Sequence, residues 1–376
     1  MTAALRDLLA DVRALIECES PSTDLAAVAR SAEVVARVGT ARLGVAPERI
    51  VLDGRTHLRW RLGTGPSRVL LLGHHDTVWP LGTLADHPCT VEDGILRGPG
   101  CFDMKAGLVM AFHAAAGLDG VTLLVTGDEE IGSPSSRALI EQEARAATAA
   151  LVFEASADGG ALKTERKGAA QYEIRVAGRA AHAGLEPDRG VNATLELAHQ
   201  VLAVSALADP KAGTTVTPTV ARAGTTANTV PAEGTFAVDV RARTAVEQER
   251  VDRALRALRP RVPGARVELT DGSSRPPLEA AASAALYALL CRIALDRGLP
   301  EPARAAVGGA SDGNLTAGVG TPTLDGLGAV GGGAHAADEH VLVAEMPART
   351  ALVRALIEQL PAGSPDPFTT PTAARP

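Results

Sequence analysis

Val69-Leu70-Leu71-Leu72-Gly73-His74-His75-Asp76 is the stretch on which the reading of this chain turns. Four apolar residues meet a glycine, and the glycine meets two imidazoles and a carboxylate. A short unbroken apolar run bounded by glycine reads as a strand buried on both faces of a parallel sheet. The pattern recurs at Val121-Thr122-Leu123-Leu124-Val125-Thr126, which ends in Gly127-Asp128-Glu129-Glu130, and at Ala150-Leu151-Val152-Phe153, which ends in Glu154. A glycine-rich stretch late in the chain delivers His335. Ligands bind at the carboxyl ends of strands in open α/β sheets, so these groups are expected to face one another across a crevice. Carboxylates so placed repel unless cations lie between them. A metal site is the economical reading.

Composition bounds the alternatives. At 376 residues the chain is long for a single core, and two domains are expected. Apolar residues make up 46% and charged residues 22%, ordinary for a soluble globular protein. Aromatics are only 2%, so Ala, Leu and Val must build the core. A net charge of −7 argues against a nucleic-acid partner. Arg250, Arg253 and Arg256 form a stripe at helical spacing, but Val251, Leu255 and Leu258 supply a buried face opposite, so the stripe reads as a solvated helix face. Cys18, Cys89, Cys101 and Cys291 contain no C-x-x-C pair and suit free thiols in a reducing compartment. Leu5, Leu8, Leu9, Val12, Leu15 and Ile16 mark an amphipathic helix broken by charges, so neither a signal peptide nor a membrane span is expected. A cytoplasmic enzyme is the expectation.

The candidate ligands fall between residues 74 and 154 and then stop until 335. Between them lies a pattern of strand, helix, two strands, helix and strand, the order of a ferredoxin-like α+β unit. The chain is therefore read as an α/β domain (1–168 and 276–360) with a smaller domain (169–275) inserted into it. The Pro-, Thr- and Ala-rich tail, 361–376, is expected to be disordered.

Alternation along a strand puts His74 and Asp76 on one face and His75 on the other. An aspartate two residues from a histidine can reach its distal ring nitrogen and fix the tautomer, which suits His74 as ligand with Asp76 behind it. Gly98-Pro99-Gly100-Cys101-Phe102-Asp103-Met104-Lys105-Ala106-Gly107 sets one carboxylate in a tight loop before a helix. Asp103 there is either a helix N-cap or, beside the other clusters, a bridging carboxylate. The neighbours Glu129 and Glu130 cannot easily point the same way, so one can bind metal while the other faces substrate. Glu154 directly follows an apolar run, where an acid is costly unless something positive meets it.

Together these residues resemble the M20 family of dinuclear zinc peptidases and amidohydrolases, along almost the whole chain to about residue 360. The H-x-D motif matches His74-His75-Asp76, the bridging-aspartate loop Gly98 to Gly107, and the paired glutamates Glu129-Glu130. The next acidic ligand matches Glu154, and the C-terminal histidine matches Gly333-Ala334-His335. The resemblance implies a zinc-peptidase-like catalytic domain with a mixed, largely parallel sheet, plus an inserted lid and dimerisation domain. It implies two zinc ions per subunit, cobalt or manganese being able to substitute. His74 and Glu154 would hold one, Glu130 and His335 the other, and Asp103 would bridge, with a cis peptide after Asp103. The chemistry agrees, since imidazole and carboxylate suit zinc and two-metal sites share a water nucleophile. Glu129 is then the general base.

In the inserted domain, Gly178-Arg179-Ala180-Ala181-His182-Ala183-Gly184 resembles the family's lid motif, whose histidine reaches the partner subunit's active site. That makes His182 an oxyanion donor and implies a homodimer. Asn228 resembles a second lid contact to substrate. Arg241 matches a position that binds a substrate carboxylate, for which a guanidinium fork is suited. The stretches His74 to Trp79, Gly178 to Gly184 and Ser311 to Gly328 look most like the glutamate carboxypeptidase branch, which hydrolyses an amide N-terminal to a C-terminal glutamate or similar amino acid. The runner-up is a deacylase of the acetylornithine or succinyl-diaminopimelate type, although the latter carries arginine where this chain has Asn314.

Three rivals remain. Gly309-Ala310-Ser311-Asp312-Gly313 matches G-x-S-x-G, with Asp325 and then His335 or His340 following, but leaves Asp103, Glu130 and Glu154 unexplained. Gly326-Leu327-Gly328-Ala329-Val330-Gly331 matches G-x-G-x-x-G with no helix after it to receive a pyrophosphate, and its glycines are expected to let backbone approach the substrate. A non-catalytic metal-binding protein would not need Glu129.

Overall fold

A computed structural model describes residues 2–65 and 68–360; the tail expected to be disordered, 361–376, lies outside the described residues. Six strands form the main sheet, in the spatial order Glu48–Leu52, Arg55–Leu62, Val121–Thr126, Val69–His74, Ala149–Val152 and Thr323–Leu324. The two outer strands on the first side pair antiparallel, and the other four run parallel. The sheet is thus mixed and largely parallel, as its continuous apolar strands require.

Val69–His74 and Val121–Thr126 are buried at every position because helices cover both faces. Side chains alternate between two cores. Val69, Leu71, Leu123, Val125 and Leu151 pack with Val12, Ile16, Val35, Phe112 and Leu356. Leu70, Leu72, Leu124 and Val152 pack on the opposite side with Leu139, Ile140, Ala144 and Leu315. Full burial of each such side chain contributes about 1.5–3 kcal/mol. In the first of these cores Trp60 meets Phe112 edge-on with centroids 5.3 Å apart.

Local signals set the helix ends. Thr2 caps Ala3–Ile16 by accepting from Leu5 N–H, and Asp24 caps Leu25–Leu43 by accepting from Ala27 N–H, while Gly44 ends that helix at φ 75°. Such caps satisfy amides that have no partner within the helix.

Two compact units result. The first comprises residues up to Glu165, Leu278–Val307 and the chain from Ser311. The second comprises Arg166–Pro277 with Gly308–Ala310. Its sheet is antiparallel, in the order Thr215–Ala223, Glu233–Ala242, Gly168–Ala177 and Arg266–Arg275, and the helices Ala193–Ser205 and Ala245–Arg256 pack on it. This is the ferredoxin-like strand order. The Arg250, Arg253 and Arg256 stripe pairs with Glu247, Glu249 and Asp252 on its own helix, while Val251 and Leu255 are buried. Among the described residues no helix is long and apolar enough to cross a membrane.

Candidate metal centre

Three parallel strands end side by side, and their carboxyl ends carry the charged groups. His74 closes one strand, Glu129 and Glu130 follow the second in a short 3-10 turn, and Glu154 lies two residues beyond the third. Loops bring Asp103 and His335 to the same place. His74 Nε2 stands 3.5 Å from Asp103 Oδ1 and 3.7 Å from Glu154 Oε1. His335 Nε2 stands 3.2 Å from both Asp103 Oδ2 and Glu130 Oε2. Asp103 therefore lies between the two imidazoles. Donor atoms of His74, Glu129 and Glu154 lie within 4.8 Å of one another, as do those of His74, Asp103 and Glu130. The two adjacent glutamates thus face different groups. The Asp103–Met104 peptide is cis.

What surrounds these residues explains their placement. His74 Nδ1 meets the Asp76 backbone carbonyl at 2.9 Å, with the Asp76 carboxylate farther off at 3.4 Å. The backbone carbonyl of Asp76, rather than its carboxylate, is thus the nearer partner of Nδ1, and Nε2 faces Asp103 and Glu154. The Asp76 carboxylate instead accepts the backbone N–H groups of Glu129 and Glu130, each at 3.2 Å, and the Ser22 hydroxyl at 2.6 Å. It therefore anchors the turn that presents both glutamates. Asp128, the third acid there, is turned inward, where Ser135 and Ser136 donate to it through backbone and hydroxyl. His75 faces the other way, between Ser31 Oγ and the Thr56 carbonyl, and burial pushes its pKa down to about 4.

Glu154 is held by close backbone packing. Gly328 N–H donates to its carbonyl at 2.9 Å. A Cβ on Gly328 would lie 2.3 Å from the Phe153 carbonyl oxygen, and one on Gly107 2.1 Å from the same atom. The glycines of 326–331 were expected to admit a substrate; Gly328 instead admits the strand end that carries Glu154. Arg349 holds that loop, donating to the carbonyls of Gly326, Leu327 and Gly160.

The electrostatics describe a site built for cations. Burial alone would lower the His74 pKa, but hydrogen bonds to Asp103 and Asp76 and the nearby carboxylate charges raise it well above its ordinary value. Hydrogen bonds to Asp103 and then Glu130 push the half-exposed His335 up to about 10. Burial disfavours the charged form of Asp103, yet His335 and His74 hold its pKa far below the usual range. Glu130 Oε1 is buried without a hydrogen-bond partner, and Asp103 Oδ1 is buried with His74 Nε2 no nearer than 3.5 Å. Such atoms are rare and costly. Carboxylate and imidazole donors aimed at one space fit divalent transition ions. His335 also adopts φ 62°, an uncommon region for a residue with a Cβ.

The remaining candidates lie in the second unit. Ala181–His182 pairs antiparallel with Thr229–Val230, and Ala183 N–H donates to the Asn228 carbonyl at 2.9 Å, so His182 and Asn228 are neighbours. His182 is exposed, and its Nδ1 accepts from Gly184 and Leu185 N–H at 3.1 Å each. With Nδ1 accepting, a neutral ring carries its proton on Nε2. Arg241 already grips Asp239 through two bonds of 2.9 and 3.0 Å.

Ser311 serves as a helix cap. Its hydroxyl accepts from Gly313 N–H and donates to Asp325 at 2.7 Å, with Asn314 completing a capping box over the short helix Asp312–Gly318. The partner of its hydroxyl is a carboxylate rather than the imidazole that a serine nucleophile needs. Asn314 is fully buried and accepts the Ser311 N–H as part of that cap. Sequence reasoning assigned nothing to Ser22 or Arg349, whose partners lie far along the chain.

An α/β sheet whose parallel strand ends gather imidazoles and carboxylates in this way is fit to hold metal ions where such sheets bind ligands, the arrangement of a metalloenzyme. The chain belongs to Peptidase family M20/M25/M40, whose sequence profile it matches over residues 70–359. It is 32% identical to Carboxypeptidase G2 of Pseudomonas sp. (strain RS-16), over 74% of this chain and 71% of that one. Aminopeptidase PepT from Bacillus cereus ATCC 10987 shares its fold with a TM-score of 0.73 at 21% identity, covering 95% of this chain and 98% of that one. The YXEP protein of Bacillus subtilis, a dinuclear metal binding peptidase from the M20 family, superposes with a TM-score of 0.66 at 14% identity, over 94% and 98%.

Proposed function

We propose that this enzyme is a zinc-dependent hydrolase of the glutamate carboxypeptidase kind, which cuts the amide bond of an N-acyl amino acid or the C-terminal peptide bond of a short peptide. The observation that carries the reading is the convergence of two imidazoles on the Asp103 carboxylate, His74 at 3.5 Å and His335 at 3.2 Å, with Glu154 and Glu130 beside them and Glu130 Oε1 buried without a hydrogen-bond partner. His74 and Glu154 would hold one zinc, Glu130 and His335 the other, and Asp103 both. Bound there, zinc supplies Lewis acidity that polarises the scissile carbonyl and acidifies a water. Glu129 takes a proton from the attacking water as its oxygen bonds to the amide carbon. It then returns the proton to the nitrogen as the carbon–nitrogen bond breaks. Asp76 accepts the backbone N–H groups of Glu129 and Glu130 and so steadies the turn that carries them.

The similarity to a carboxypeptidase supports a substrate with a free carboxylate beside the scissile amide. Arg241 would bind that carboxylate by exchanging Asp239 for it, and Asn228 would be a further contact. His182 would donate from Nε2 to the developing oxyanion in the partner subunit's site. A dimer through the second unit is supported by an exposed apolar stripe, Leu195, Ala198 and Leu202, on the helix Ala193–Ser205, and by the sheet-edge strand Thr215–Ala223 with Val220 exposed.

The test is purified protein assayed for metal and screened on N-acyl amino acids, N-acyl glutamates foremost, with and without a chelator. Two zinc ions per chain and chelator-sensitive release of a C-terminal amino acid are expected. Glu129→Ala should keep its metal and lose turnover by about 10²-fold or more. Metal-free protein with full activity, or near-normal turnover in Glu129→Ala, overturns the proposal.

A further inference from the structure

Glu339 lies four residues after His335 and is 4% exposed. Its Oε1 accepts the backbone N–H groups of Phe102 at 2.9 Å and Asp103 at 3.0 Å. Its Oε2 accepts Gly100 N–H at 2.9 Å and the Trp79 indole N–H at 2.8 Å. A carboxylate offers about four lone-pair positions, and here four donors fill them. Glu339 therefore has nothing left to offer an ion.

Its four partners lie on the segments that build the centre. Trp79 follows Asp76 by three residues, and Gly100, Phe102 and Asp103 belong to the loop of the shared carboxylate. Glu339 itself is joined to His335 by a tight turn. Ala336 N–H bonds to the Gly333 carbonyl and Glu339 N–H to the Ala336 carbonyl, each at 2.9 Å. Gly333, at φ 74°, leaves no room for a Cβ, which would meet Asp338 and Glu339 backbone at 2.8 Å. The His335 ring is half exposed, so this turn, more than packing, sets where it stands.

We infer that Glu339 is a positioning residue: it ties the Asp103 loop to the His335 turn and thereby sets how tightly the centre holds its metal. The inference rests on the metallohydrolase reading. A glutamine at 339 keeps the shape but turns one acceptor end into an amide that faces two donors. An aspartate keeps the charge but falls one methylene short of the loop. Both should disturb the geometry, whereas a pure field effect would spare the aspartate.

The experiment uses full-length, metal-stripped protein titrated with zinc against a chromophoric chelator, with thermal melting of each metal-free variant alongside. Groups that orient metal ligands typically govern affinity by about 10–100-fold. Glu339→Gln and Glu339→Asp should each weaken zinc binding by roughly that factor. Trp79→Phe, which removes one donor and no charge, should weaken it by about threefold or more, and this variant decides the matter if the others do not fold. Wild-type affinity in the Gln or Asp variant overturns the inference, as does a lowered melting temperature with unchanged zinc binding. Loss in Glu339→Gln with full affinity in Glu339→Asp makes the effect one of charge and also overturns it. If the wild-type chain binds no zinc, the metallohydrolase reading fails first.

Discussion

Replacing Gly328 by alanine tests whether backbone packing positions Glu154. The new Cβ would lie 2.3 Å from the Phe153 carbonyl oxygen and 2.8 Å from that of Glu154. Carbon and oxygen normally approach to about 3.3 Å, so the shortfall is roughly 1 Å. Neither wall yields easily. Phe153 N–H is bonded to the Leu72 carbonyl, and Arg349 holds the loop through the carbonyls of Gly326 and Leu327. Overpacking of this kind costs about 1–3 kcal/mol, and a 1 Å displacement of a reacting group can cost about 10²-fold in rate. Gly328→Ala should therefore lose both thermal stability and zinc affinity. Gly107→Ala is a sharper comparison, because alanine favours a helix by about 1 kcal/mol over glycine. Its Cβ would meet the Phe153 oxygen at 2.1 Å, so the clash should win and the variant should also be destabilised. Gly308→Ala, with nothing within 4 Å of its added Cβ, is the control and should be neutral or slightly stabilising. Melting curves and zinc titrations of the three variants decide; if Gly328→Ala and Gly107→Ala behave like Gly308→Ala, the packing argument is wrong.

Ser311→Ala should keep full turnover and lose about 1 kcal/mol of stability, the usual cost of losing an N-cap, and fluorophosphonates should leave the native enzyme active; abolished turnover with native folding would revive the serine reading. Mixing inactive His182→Ala chains with inactive Glu129→Ala chains should restore part of the activity, because one of the two sites in a mixed dimer then has both groups intact; no recovery after verified subunit exchange would argue against action across the dimer. Asp76→Asn should lower turnover more than it lowers zinc content, since the carboxylate holds the Glu129 and Glu130 amides while a backbone carbonyl steadies His74; metal analysis alongside kinetics would show if zinc is lost first.

Much of the centre was legible in the chain because its signals are local. An apolar run that ends in glycine and then an imidazole or carboxylate specifies both a buried strand and what its end carries, as at His74, Glu129, Glu130 and Glu154. Two-sided burial of Val69–His74 follows from the same run. The ferredoxin-like order of the second unit was readable from alternating periods of two and 3.6 residues. Partnerships of buried polar groups were not. Asp128, Asp312 and Glu339 are all acids in loops or at element ends, and nothing nearby in sequence separates them from ligands. Asp128 is engaged by Ser135 and Ser136 a turn further on, but Asp312 is engaged by Thr126 and Ser133 and Glu339 by a loop more than 230 residues away. The roles of Ser311 and Gly328 turned likewise on distant neighbours, Asp325 and the carbonyls of Phe153 and Glu154. Sequence by itself determined which chemistry stands at the strand ends, because strand burial and side-chain identity are properties of a few consecutive residues. Only the tertiary structure decided which acids stay open to metal and which are consumed in holding the site. Each buried oxygen must find its donors, and those donors come from chain segments that only folding brings together.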